Sequence, residues 1–370
     1  MSKFITKKAI FDIDKNSALA PQSLQMLEEA SICLGKLNQF STDLFEFDFI
    51  LEAMRNIEAL NSAKIEGTTG NLGDLYMQDS LDYEIKKKLK LFSAINYKNS
   101  INELEQIYTS YNKIDKSLIR NLHKILTEND PSTSGTSGKF REKEVKIQNS
   151  KLGDFYPANP VNVDEFIDQM IQDLNSCELP KLIGVAIMHY QFEAIHPFED
   201  GNGRSGRLLI TAKLLLDNII SQPILNLSQY LEGHRDEYIT ALRSVSVESS
   251  FEKWITFFLE AIIQQCQHNL KIIDEMRMMK NRDESLIRET IKSSPVASHV
   301  LKFALNKLFV TVPEVSKHLK ELKVPLADYE QTARINVNRL TKMRILTPTE
   351  TKRGRAQIFV HKELFKMLTR

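Results

Sequence analysis

Residues 196–207, which read HPFEDGNGRSGR, concentrate residue types that can do chemistry. They join two segments, 182–195 and 208–219, that are apolar nearly all round, as buried helices are. Ionisable groups held between buried helices are desolvated and crowded, which is the usual setting for perturbed pKa values. We therefore interpret this segment as a candidate active site.

The residue types of this segment suit a transfer reaction on a phosphate compound. Glycines let the backbone approach a ligand closely, and successive N–H groups that lead into a helix form an anion-binding concavity. Arg204 and Arg207 offer forked donors for phosphate oxygens. Asp200 is a hard oxygen ligand of the kind magnesium takes alongside substrate phosphates. His196 titrates near neutrality and can accept a proton. A base, a metal ligand and a phosphate cradle together predict transfer to a hydroxyl group.

Other interpretations of the same residues are weaker. The pattern Gly201-x-Gly203-x-x-Gly206 also fits the dinucleotide-binding fingerprint, which requires a preceding strand and an acidic residue ~20 positions onward. Here a predicted helix precedes, and Asp217 comes too soon. Neither Lys nor Ser/Thr follows Gly206, which excludes a Walker A loop. A lone histidine before proline is usually structural, so His196 alone would not indicate catalysis.

The segment resembles the signature of the Fic family, HPFx(D/E)GNGRxxR, at every defined position. With an upstream motif and a predicted hairpin, the resemblance covers most of residues 40–265. It implies a protein adenylyltransferase that moves AMP from ATP, with Mg²⁺, onto Ser, Thr or Tyr hydroxyls of target proteins or of itself. By the match, His196 is the general base and Asp200 holds magnesium. The nucleotide and phosphate contacts implied by the resemblance are Gly201, Asn202, Gly203, Arg204, Ser205, Gly206, Arg207 and Tyr238.

Gly203 bears on which reaction runs. Family members that resemble the toxin Doc carry Lys at this position and transfer phosphate, whereas glycine leaves space for a triphosphate in the AMP-transferring direction. Transfer of phosphate or phosphocholine, and removal of AMP, stay open as alternatives. Tyr238 lies in a segment, 230–238, that resembles the part of the family lining the base; it stacks on adenine or fills the core.

Ser62, Glu66 and Gly67 resemble the family's inhibitory motif, (S/T)xxxE(G/N). An apolar stripe over residues 50–60 predicts a helix that ends at Gly67. Four residues apart, Ser62 and Glu66 lie on one face of that helix. The resemblance implies that Glu66 pairs with Arg207 and blocks its phosphate-binding role. The alternative is an ordinary surface glutamate before a helix-ending glycine.

Residues 145–154 predict a short β-hairpin, from an alternating triplet and a turn around Gly153, after a small-residue loop at 133–138. The hairpin corresponds to the family's flap, whose free strand edge can pair with an extended target segment. Lys146 and Ile147 are the residues we expect at that edge, and Arg141 is expected to brace it.

Residues 291–370 form a basic C-terminal unit, with 16 Lys/Arg against 6 Asp/Glu, or +10; the rest carries 33 against 42, or −9. A capping box at 311–314, a helix at 329–343 and a basic hairpin tip at 352–355 resemble a winged helix-turn-helix. Arg334, Arg339, Lys342 and the wing arginines would then face a nucleic-acid backbone. DNA binding and a surface for protein docking or dimerisation are the two alternatives.

The expected fold class is mainly α: a Fic-type helical core with a short β-hairpin flap, plus a C-terminal winged helix-turn-helix. The expected domains are an N-terminal helical region at 1–100 with the inhibitory motif at 62–67, a Fic core at 101–265, a connecting helix at 266–290 and a winged-helix domain at 291–370. The chain is 42% hydrophobic and 26% charged, a composition typical of soluble globular proteins. The three cysteines lie far apart without a CxxC pair, which argues against disulfides and thiolate zinc. With no signal peptide or membrane span in the pattern, we expect a cytoplasmic protein that does not bind membranes, with a homodimer as a further expectation.

Overall fold

The computed structural model describes residues 3–42, 48–131, 133, 136–291 and 295–370. Helices dominate these residues, as predicted. Those before residue 250 are α1 (Lys7–Phe11), α2 (Pro21–Thr42), α3 (Asp48–Ile65), α4 (Leu72–Tyr76), α5 (Tyr83–Lys88), α6 (Phe92–Ser110), α7 (Lys116–Thr127), α8 (Val163–Asn175), α9 (Lys181–Ile195), α10 (Asn202–Leu216), α11 (Leu227–Gly233) and α12 (Arg235–Glu248). The later elements are α13 (Glu252–Thr290), α14 (Pro295–Lys307), β1 (Phe309–Thr311), α15 (Val312–Glu321), α16 (Tyr329–Lys342), β2 (Thr347–Arg353), β3 (Ala356–Val360) and α17 (Lys362–Leu368).

Helix α9 lies at the centre of the fold. It is apolar on nearly every face, so it is stable only when neighbours cover it all round. Helices α8, α10 and α13 supply that cover. Trp254 of α13 is fully buried, and its indole N–H donates to the Ala186 carbonyl of α9 at 2.8 Å, which satisfies the polar group of a core side chain. Helix α13 also packs along α2.

Helix α10 begins earlier than the sequence pattern predicted. The apolar run starts at Leu208, but the helix starts at Asn202, directly after Gly201. Gly201 has φ +76°, a left-handed conformation that glycine adopts without strain and that here turns the chain into the helix. The connecting loop is therefore only residues 196–201, and both arginines of the motif belong to the first turns of α10.

The predicted stripe on α3 is confirmed, since Ile50, Ala53, Met54, Ile57 and Leu60 are all buried. Gly67 has φ +93° and follows the end of the helix, as expected for a glycine that terminates it. Helix α3 packs against α6, α11 and α10, and this contact with α10 brings the predicted inhibitory motif to the candidate site.

The predicted hairpin at 145–154 is present only in reduced form. One antiparallel bridge joins Ile147 to Phe155, with N–H···O distances of 2.9 Å in both directions. The intervening turn is organised by Asn149, whose side chain accepts from the N–H groups of Lys151 and Leu152, so the chain curls before a longer ladder can form. Residues 134 and 135 of the predicted small-residue loop lie outside the described residues.

The C-terminal elements follow the predicted order. A capping box joins Thr311 and Glu314 at the start of α15, and α16 buries Ala333, Val337 and Leu340. Strands β1, β3 and β2 form an antiparallel sheet in that order, and the β2–β3 turn is the predicted basic tip. Helix α13 runs without a break from residue 252 to 290. Among the described residues, no helix has both the length and the apolar character needed to cross a membrane.

Candidate active site

His196 follows the last residue of α9 and has a left-handed conformation, with φ +53°. Arg141 supports the loop that begins here. The Arg141 side chain is buried and donates to three carbonyls of this region: His196 at 2.7 Å, Ile195 at 3.2 Å and Ala158 at 2.5 Å. We expected Arg141 to brace the hairpin. Its side chain also donates to the carbonyl of Lys143, at 3.0 Å and just before the predicted hairpin, so it holds both that segment and the backbone that carries the candidate base.

The middle of the loop is closed by Asn202 and Phe198. The Asn202 side chain accepts from the Phe198 N–H and donates to the Phe198 carbonyl, both at 2.8 Å. Phe198 is fully buried and stacks on His123 of α7, with ring centroids 3.6 Å apart and planes 4° from parallel. Because both polar groups of its side chain hold the loop, Asn202 can offer a ligand only its backbone without breaking this closure.

His123 is a loop-supporting residue that the sequence did not reveal. Its Nδ1 accepts from the Gly138 N–H at 2.9 Å, so its Nε2 carries the proton and donates to the Asp200 carbonyl at 2.9 Å. Burial lowers the pKa of His123 to about 4, so the ring is neutral at pH 7. Its position on an ordinary amphipathic helix gave no signal of this role.

A cavity of about 450 Å³ opens beside the loop. The predicted site residues that line it are His196, Gly203, Arg207, Glu66, Tyr238 and Ile147. The predicted residues that are not among its lining residues are Asp200, Gly201, Asn202, Arg204, Ser205, Gly206, Ser62, Gly67 and Lys146. The cavity therefore brings the imidazole at the end of α9 together with the glycine and one of the two motif arginines in the first turns of α10.

Arg207 contacts the predicted inhibitory motif through both Ser62 and Glu66. Its Nε donates to the Ser62 hydroxyl, and its Nη2 donates to the Ser62 carbonyl and to Glu66 Oε1, each at 2.9 Å. Burial alone would raise the pKa of Glu66, but the Arg207 guanidinium outweighs it and the pKa lies below its usual value. A Cβ on Gly203 would lie 2.3 Å from Glu66 Oε1, so the carboxylate rests on the first turn of α10.

A buried network behind this contact fixes the position of α3. The Glu58 carboxylate accepts from the Ser228 N–H at 2.9 Å, from the Ser228 hydroxyl at 2.5 Å and from the Tyr97 hydroxyl at 3.1 Å. Burial raises the pKa of Glu58, although these donors act in the opposite direction. Since α3 is anchored one turn before Ser62, the motif residues meet α10 in a fixed register.

The other arginine of the motif, Arg204, is buried and does not line the cavity. Its Nη1 is 3.4 Å from Asp130 Oδ2, and its Nη2 is 3.7 Å from Asp200 Oδ2. The Asp200 side chain is 51% exposed, and its other oxygen accepts from the Gly201 N–H at 2.7 Å. The described residues contain no cluster of three or more His, Cys, Asp or Glu side chains that could hold a metal. Any metal at Asp200 would therefore need oxygens from a ligand.

Two further motif residues face the protein interior. Ser205 is buried. A Cβ on Gly206 would lie 2.3 Å from Glu193 Oε1 and 3.1 Å from Phe192, so this glycine allows α10 to approach α9 closely. Their positions favour a packing role in the helix pair.

Tyr238 lies at the back of the cavity. Its ring is buried beside Trp254 and Phe257, with centroids 6.1 and 6.2 Å away, and its hydroxyl bonds to His189 Nε2 at 2.7 Å. Burial raises its pKa. The structure thus favours the core-filling alternative for most of the ring, while one edge borders the cavity.

The flap, residues 145–154, lines one side of the cavity and is held against α12 by hydrogen bonds and an ion pair. Arg243 donates to the carbonyls of Leu152 and Gly153, the latter at 2.6 Å, and Lys151 pairs with Asp236. Ile147 forms the single bridge and lines the cavity, whereas the Lys146 side chain pairs with Asp154 at 3.1 Å. The α12 contacts were not predicted, because they join segments far apart in the sequence.

Among the ionisable groups of the cavity, His196 and Glu193 have pKa values shifted by burial in ways that bear on proton transfer. Burial lowers the pKa of His196 to about 4, and Arg141 adds to this lowering. Burial raises the pKa of Glu193 to about 7, with Arg207 acting against the rise and Glu66 adding to it. Sequence reasoning missed Glu193, since a single acidic residue on an apolar helix gave no motif. Perturbed values in a cleft are typical of functional sites.

Comparison with known proteins agrees with this geometry. Residues 113–214 match the model of the Fic/DOC family, and residues 24–103 match the model of the Fic/DOC family N-terminal region. The chain is 24% identical over 221 residues to a probable protein adenylyltransferase, aq_aa38, of Aquifex aeolicus, across 54% of this chain and 67% of that protein. It is 36% identical over 77 residues to the protein adenylyltransferase fic-1 of Caenorhabditis briggsae, across 20% of this chain and only 14% of that protein.

Solved structures share the fold. A Fic family protein from Desulfovibrio desulfuricans superposes with a TM-score of 0.57 at 16% identity, covering 92% of this chain and 96% of that one. Fic-1 (residues 134–508) of Caenorhabditis elegans superposes with a TM-score of 0.53 at 18% identity, covering 69% and 73%. The first match extends over nearly the whole chain.

Proposed function

Since this chain belongs to the Fic/DOC family, we propose that it is a protein adenylyltransferase, which transfers AMP from ATP to hydroxyl side chains of proteins. The observation that carries the proposal is the meeting of His196, Gly203 and Arg207 in one cavity at the start of α10. This arrangement offers a neutral base, a helix N-terminus and a cation within the space of one nucleotide.

The reaction follows from these positions. His196 takes the proton of a target Ser, Thr or Tyr hydroxyl, and that oxygen attacks the α-phosphorus of ATP. The bond to the bridging oxygen breaks, pyrophosphate leaves, and AMP stays on the target. The backbone N–H groups of Asn202 and Gly203 and the positive end of α10 stabilise the charge that develops on the phosphates. Arg207 binds the outer phosphates once Glu66 has left it.

Two predicted phosphate contacts take narrower roles in this proposal. The Asn202 side chain holds the loop through Phe198, so its contribution to phosphate binding is its backbone N–H. Arg204 pairs with Asp130 and Asp200 and supports binding from behind the loop. Gly203 leaves space for the triphosphate, which favours AMP transfer over phosphate transfer.

Asp200 suits the magnesium ion that accompanies ATP. Magnesium is commonly held by one or two carboxylates together with phosphate oxygens and water, and Asp200 offers one half-exposed carboxylate at the helix start. When bound, the ion would neutralise phosphate charge and favour departure of pyrophosphate. The Gly201 N–H donates to one Asp200 oxygen and orients the carboxylate for this task.

The contact between Glu66 and Arg207 supports autoinhibition. Glu66 occupies the guanidinium that the outer phosphates need, and its carboxylate lies on Gly203, where a negative phosphate would be repelled. ATP therefore binds productively only after Glu66 moves. The flap is the proposed docking edge for the target: Ile147 offers backbone groups beside the cavity, and the Arg243 contacts keep the turn in place.

Two labels test the direction of transfer. The protein is incubated with magnesium, cell lysate and ATP radiolabelled on either the α- or the γ-phosphate. We expect label that depends on His196 only from the α-phosphate; the γ-label added by kinases of the lysate should be the same with wild type and His196→Ala. His268→Ala, an exposed histidine of α13, is the matched control and should label like wild type. A γ-phosphate label that is lost with His196→Ala would mean phosphate transfer and would overturn the proposal.

A second function, duplex nucleic-acid binding, is supported by α16. Its outward face presents Arg334, Asn338, Arg339 and Lys342, all exposed, and the β2–β3 tip adds Lys352 and Arg355. Among the described carboxylates, only Glu330 lies within ion-pair distance of this set, at 3.2 Å from Arg334. A basic helix with a basic hairpin beside it has the geometry of winged helix-turn-helix proteins that insert a helix into the major groove.

Fluorescence anisotropy with a mixed-sequence duplex tests this second function. We expect the full chain to bind at low salt, with log K falling steeply with log [salt] because phosphate contacts release counterions. Arg339→Glu combined with Lys342→Glu should abolish binding. Lys366→Glu, on the exposed side of α17, makes a charge reversal outside this face and should retain it. Absence of binding at low salt by wild type would exclude the function.

A further inference from the structure

Glu193, on the last turn of α9, carries a carboxylate that the reaction outlined above leaves unused. It lines the cavity three residues before His196. Its Oε1 is buried without a hydrogen-bond partner among the described residues. A buried polar atom without a partner is unfavourable, and natural proteins retain few of them outside functional sites. We therefore asked what the carboxylate could do there.

The group nearest in chemistry is the imidazole of His196. Glu193 Oε2 lies 3.9 Å from His196 Nδ1, and both side chains are mostly shielded from water. Nδ1 makes no hydrogen bond of good geometry in the described structure, although the Glu193 carbonyl also acts on the ring in the direction that favours a proton. For His196 to accept a proton at Nε2, Nδ1 must already carry one, and Glu193 Oε2 lies 3.9 Å from that nitrogen.

His196 would be a better base with an anion nearby. Its pKa of about 4, set first by burial, keeps the ring neutral at pH 7 but makes it a weak proton acceptor. When it takes a proton from the target hydroxyl, a buried imidazolium forms close to Arg141, whose charge opposes it. An anion within about 4–6 Å favours the charged form of a titratable group.

We propose that Glu193 is a positioning residue for the His196 base: its carboxylate orients the Nδ1–H and stabilises the imidazolium formed during transfer, once Glu66 has released Arg207. The proposal rests on the adenylyl transfer proposed above. The proton stays on His196 throughout, so Glu193 neither gains nor loses one in the step.

Gly206 supplies the space that this arrangement needs. A Cβ at residue 206 would meet Glu193 Oε1 at 2.3 Å, which is closer than any real contact. Only glycine at this position lets the carboxylate lie between α9 and α10 and reach toward the imidazole. Gly206 stands at an undefined position of the loop signature, so the signature does not require glycine here.

Release of Glu66 would favour the charged form of Glu193, because it removes the smaller of the two effects that raise the Glu193 pKa. With Glu66 in place, two carboxylates share the field of one guanidinium, that of Arg207, and burial together with Glu66 holds the Glu193 pKa at about 7. When Glu66 leaves, one source of repulsion disappears, and Glu193 ionises at a lower pH. The same movement that opens the phosphate site thus prepares the base. Several titratable or charged groups surround Glu193 and His196. They are Glu66 of α3, Arg207 of α10, Tyr238 of α12, His189 of α9, and Arg141, which precedes the flap.

Histidine NMR tests the proposal without relying on activity. Full-length Glu66→Gly and Glu66→Gly/Glu193→Gln proteins are labelled with ¹⁵N-histidine, and the His196 signal is assigned by its loss in His196→Ala. We expect the His196 ¹⁵N shifts of the Glu66→Gly protein to move between two values as Glu193 ionises, at or below about pH 7, and we expect this step to be absent in the Glu193→Gln protein, because the charge beside Nδ1 has been removed. Glu66→Gly/Glu237→Gln makes the same change on an exposed carboxylate of α12 and should leave the step unchanged. A His196 titration curve that is unchanged in the Glu193→Gln protein overturns the proposal.

The pH profile of labelling is the second readout. In the Glu66→Gly background, labelling should rise with pH as Glu193 ionises, at or below about pH 7. With Glu193→Gln the rise should vanish and the rate at neutral pH should fall about tenfold or more, part of the factor that general-base catalysis provides. A profile of unchanged shape would mean a purely structural role. If Glu66→Gly itself labels nothing, the proposed activity fails, while the NMR result still decides the assignment of Glu193.

Gly206→Ala provides a variant that retains the carboxylate. Its methyl group should push the Glu193 side chain away from its present place, so the step in the His196 ¹⁵N shifts near pH 7 should be lost as it is in Glu193→Gln. Thermal melting confirms that each protein is folded. A Gly206→Ala protein that is folded and keeps the His196 titration curve of its parent contradicts the geometry on which the proposal depends.

Discussion

Replacement of Glu66 should release the enzyme, and the size of the effect can be worked from the contact itself. A hydrogen bond to a charged group contributes about 1.5–3 kcal/mol when buried. The Glu66 side chain is 41% exposed, so solvent screening reduces the contribution of its 2.9 Å contact with Arg207 to about 1.4 kcal/mol. Since about 1.4 kcal/mol is a factor of ten, Glu66→Gly should raise the rate of labelling at least about tenfold.

Glu66→Gln gives a graded version of the same perturbation. The amide oxygen can still accept from Arg207, but a neutral acceptor contributes only about 0.5–1.5 kcal/mol. We therefore expect activation between wild type and Glu66→Gly. Initial rates of α-phosphate label transfer to lysate proteins, at ATP well below saturation, measure the series. Glu128→Gly, at the exposed end of α7, is the control for a glutamate-to-glycine change at a helix end.

Comparison of the labelling rates tests whether the Glu66 carboxylate inhibits the enzyme. Equal rates for wild type and Glu66→Gly would refute the inference that this carboxylate holds the site closed. Equal activation by Glu128→Gly would point to a general loosening of the protein. Weaker binding of ATP by Glu66→Gly than by wild type would likewise contradict the competition for Arg207.

Three further predictions concern stability. Arg141→Ala should lower the free energy of unfolding by about 3 kcal/mol or more, measured by urea denaturation, because it leaves several buried loop carbonyls without their donor; a loss below about 1 kcal/mol would contradict the loop-bracing role. The folded-state pKa of His123 is lowered to about 4, so the unfolded state binds more protons below about pH 6.5 and stability falls as pH drops toward 4. His123→Gln should show a shallower fall over that range, and an unchanged slope would count against its burial as a neutral ring. The pKa of Glu66 is lowered on folding, so its contribution is present above its ordinary value of 4.5 and lost as pH falls through the folded-state value. The difference in melting temperature between wild type and Glu66→Gln should therefore disappear in acid.

The sequence predicted those parts of the site that depend on local pattern. The stripe on α3 and the glycine after it define a helix by periodicity and a stop signal, and both are present in the structure. The approach of Glu66 to Arg207 was expected from resemblance, since nothing in the spacing of two residues far apart in the chain gives their distance. The capping box and the hairpin tip of the C-terminal unit could be predicted because they too depend on local sequence pattern.

The remaining parts depend on tertiary contacts. Arg141 donates to carbonyls of a loop more than fifty residues away, and no local signal distinguishes it from an arginine that braces the flap. Glu193 lies on a helix whose apolar composition suggested only burial. The flap forms one bridge in place of a ladder because the Asn149 turn and the Arg243 contacts fix its path. Helix α10 extends back to Asn202 because Gly201 adopts a conformation that a hydrophobic pattern cannot reveal.

The mass of the reaction product tests the central claim most directly. Glu66→Gly protein is incubated with unlabelled ATP and magnesium, and modified lysate proteins are analysed by intact and tandem mass spectrometry. Transfer through His196 predicts the mass of one AMP on a Ser, Thr or Tyr side chain, and no such adduct when His196→Ala is added. An adduct of phosphate or phosphocholine that depends on His196, or an AMP adduct that survives His196→Ala, would contradict it.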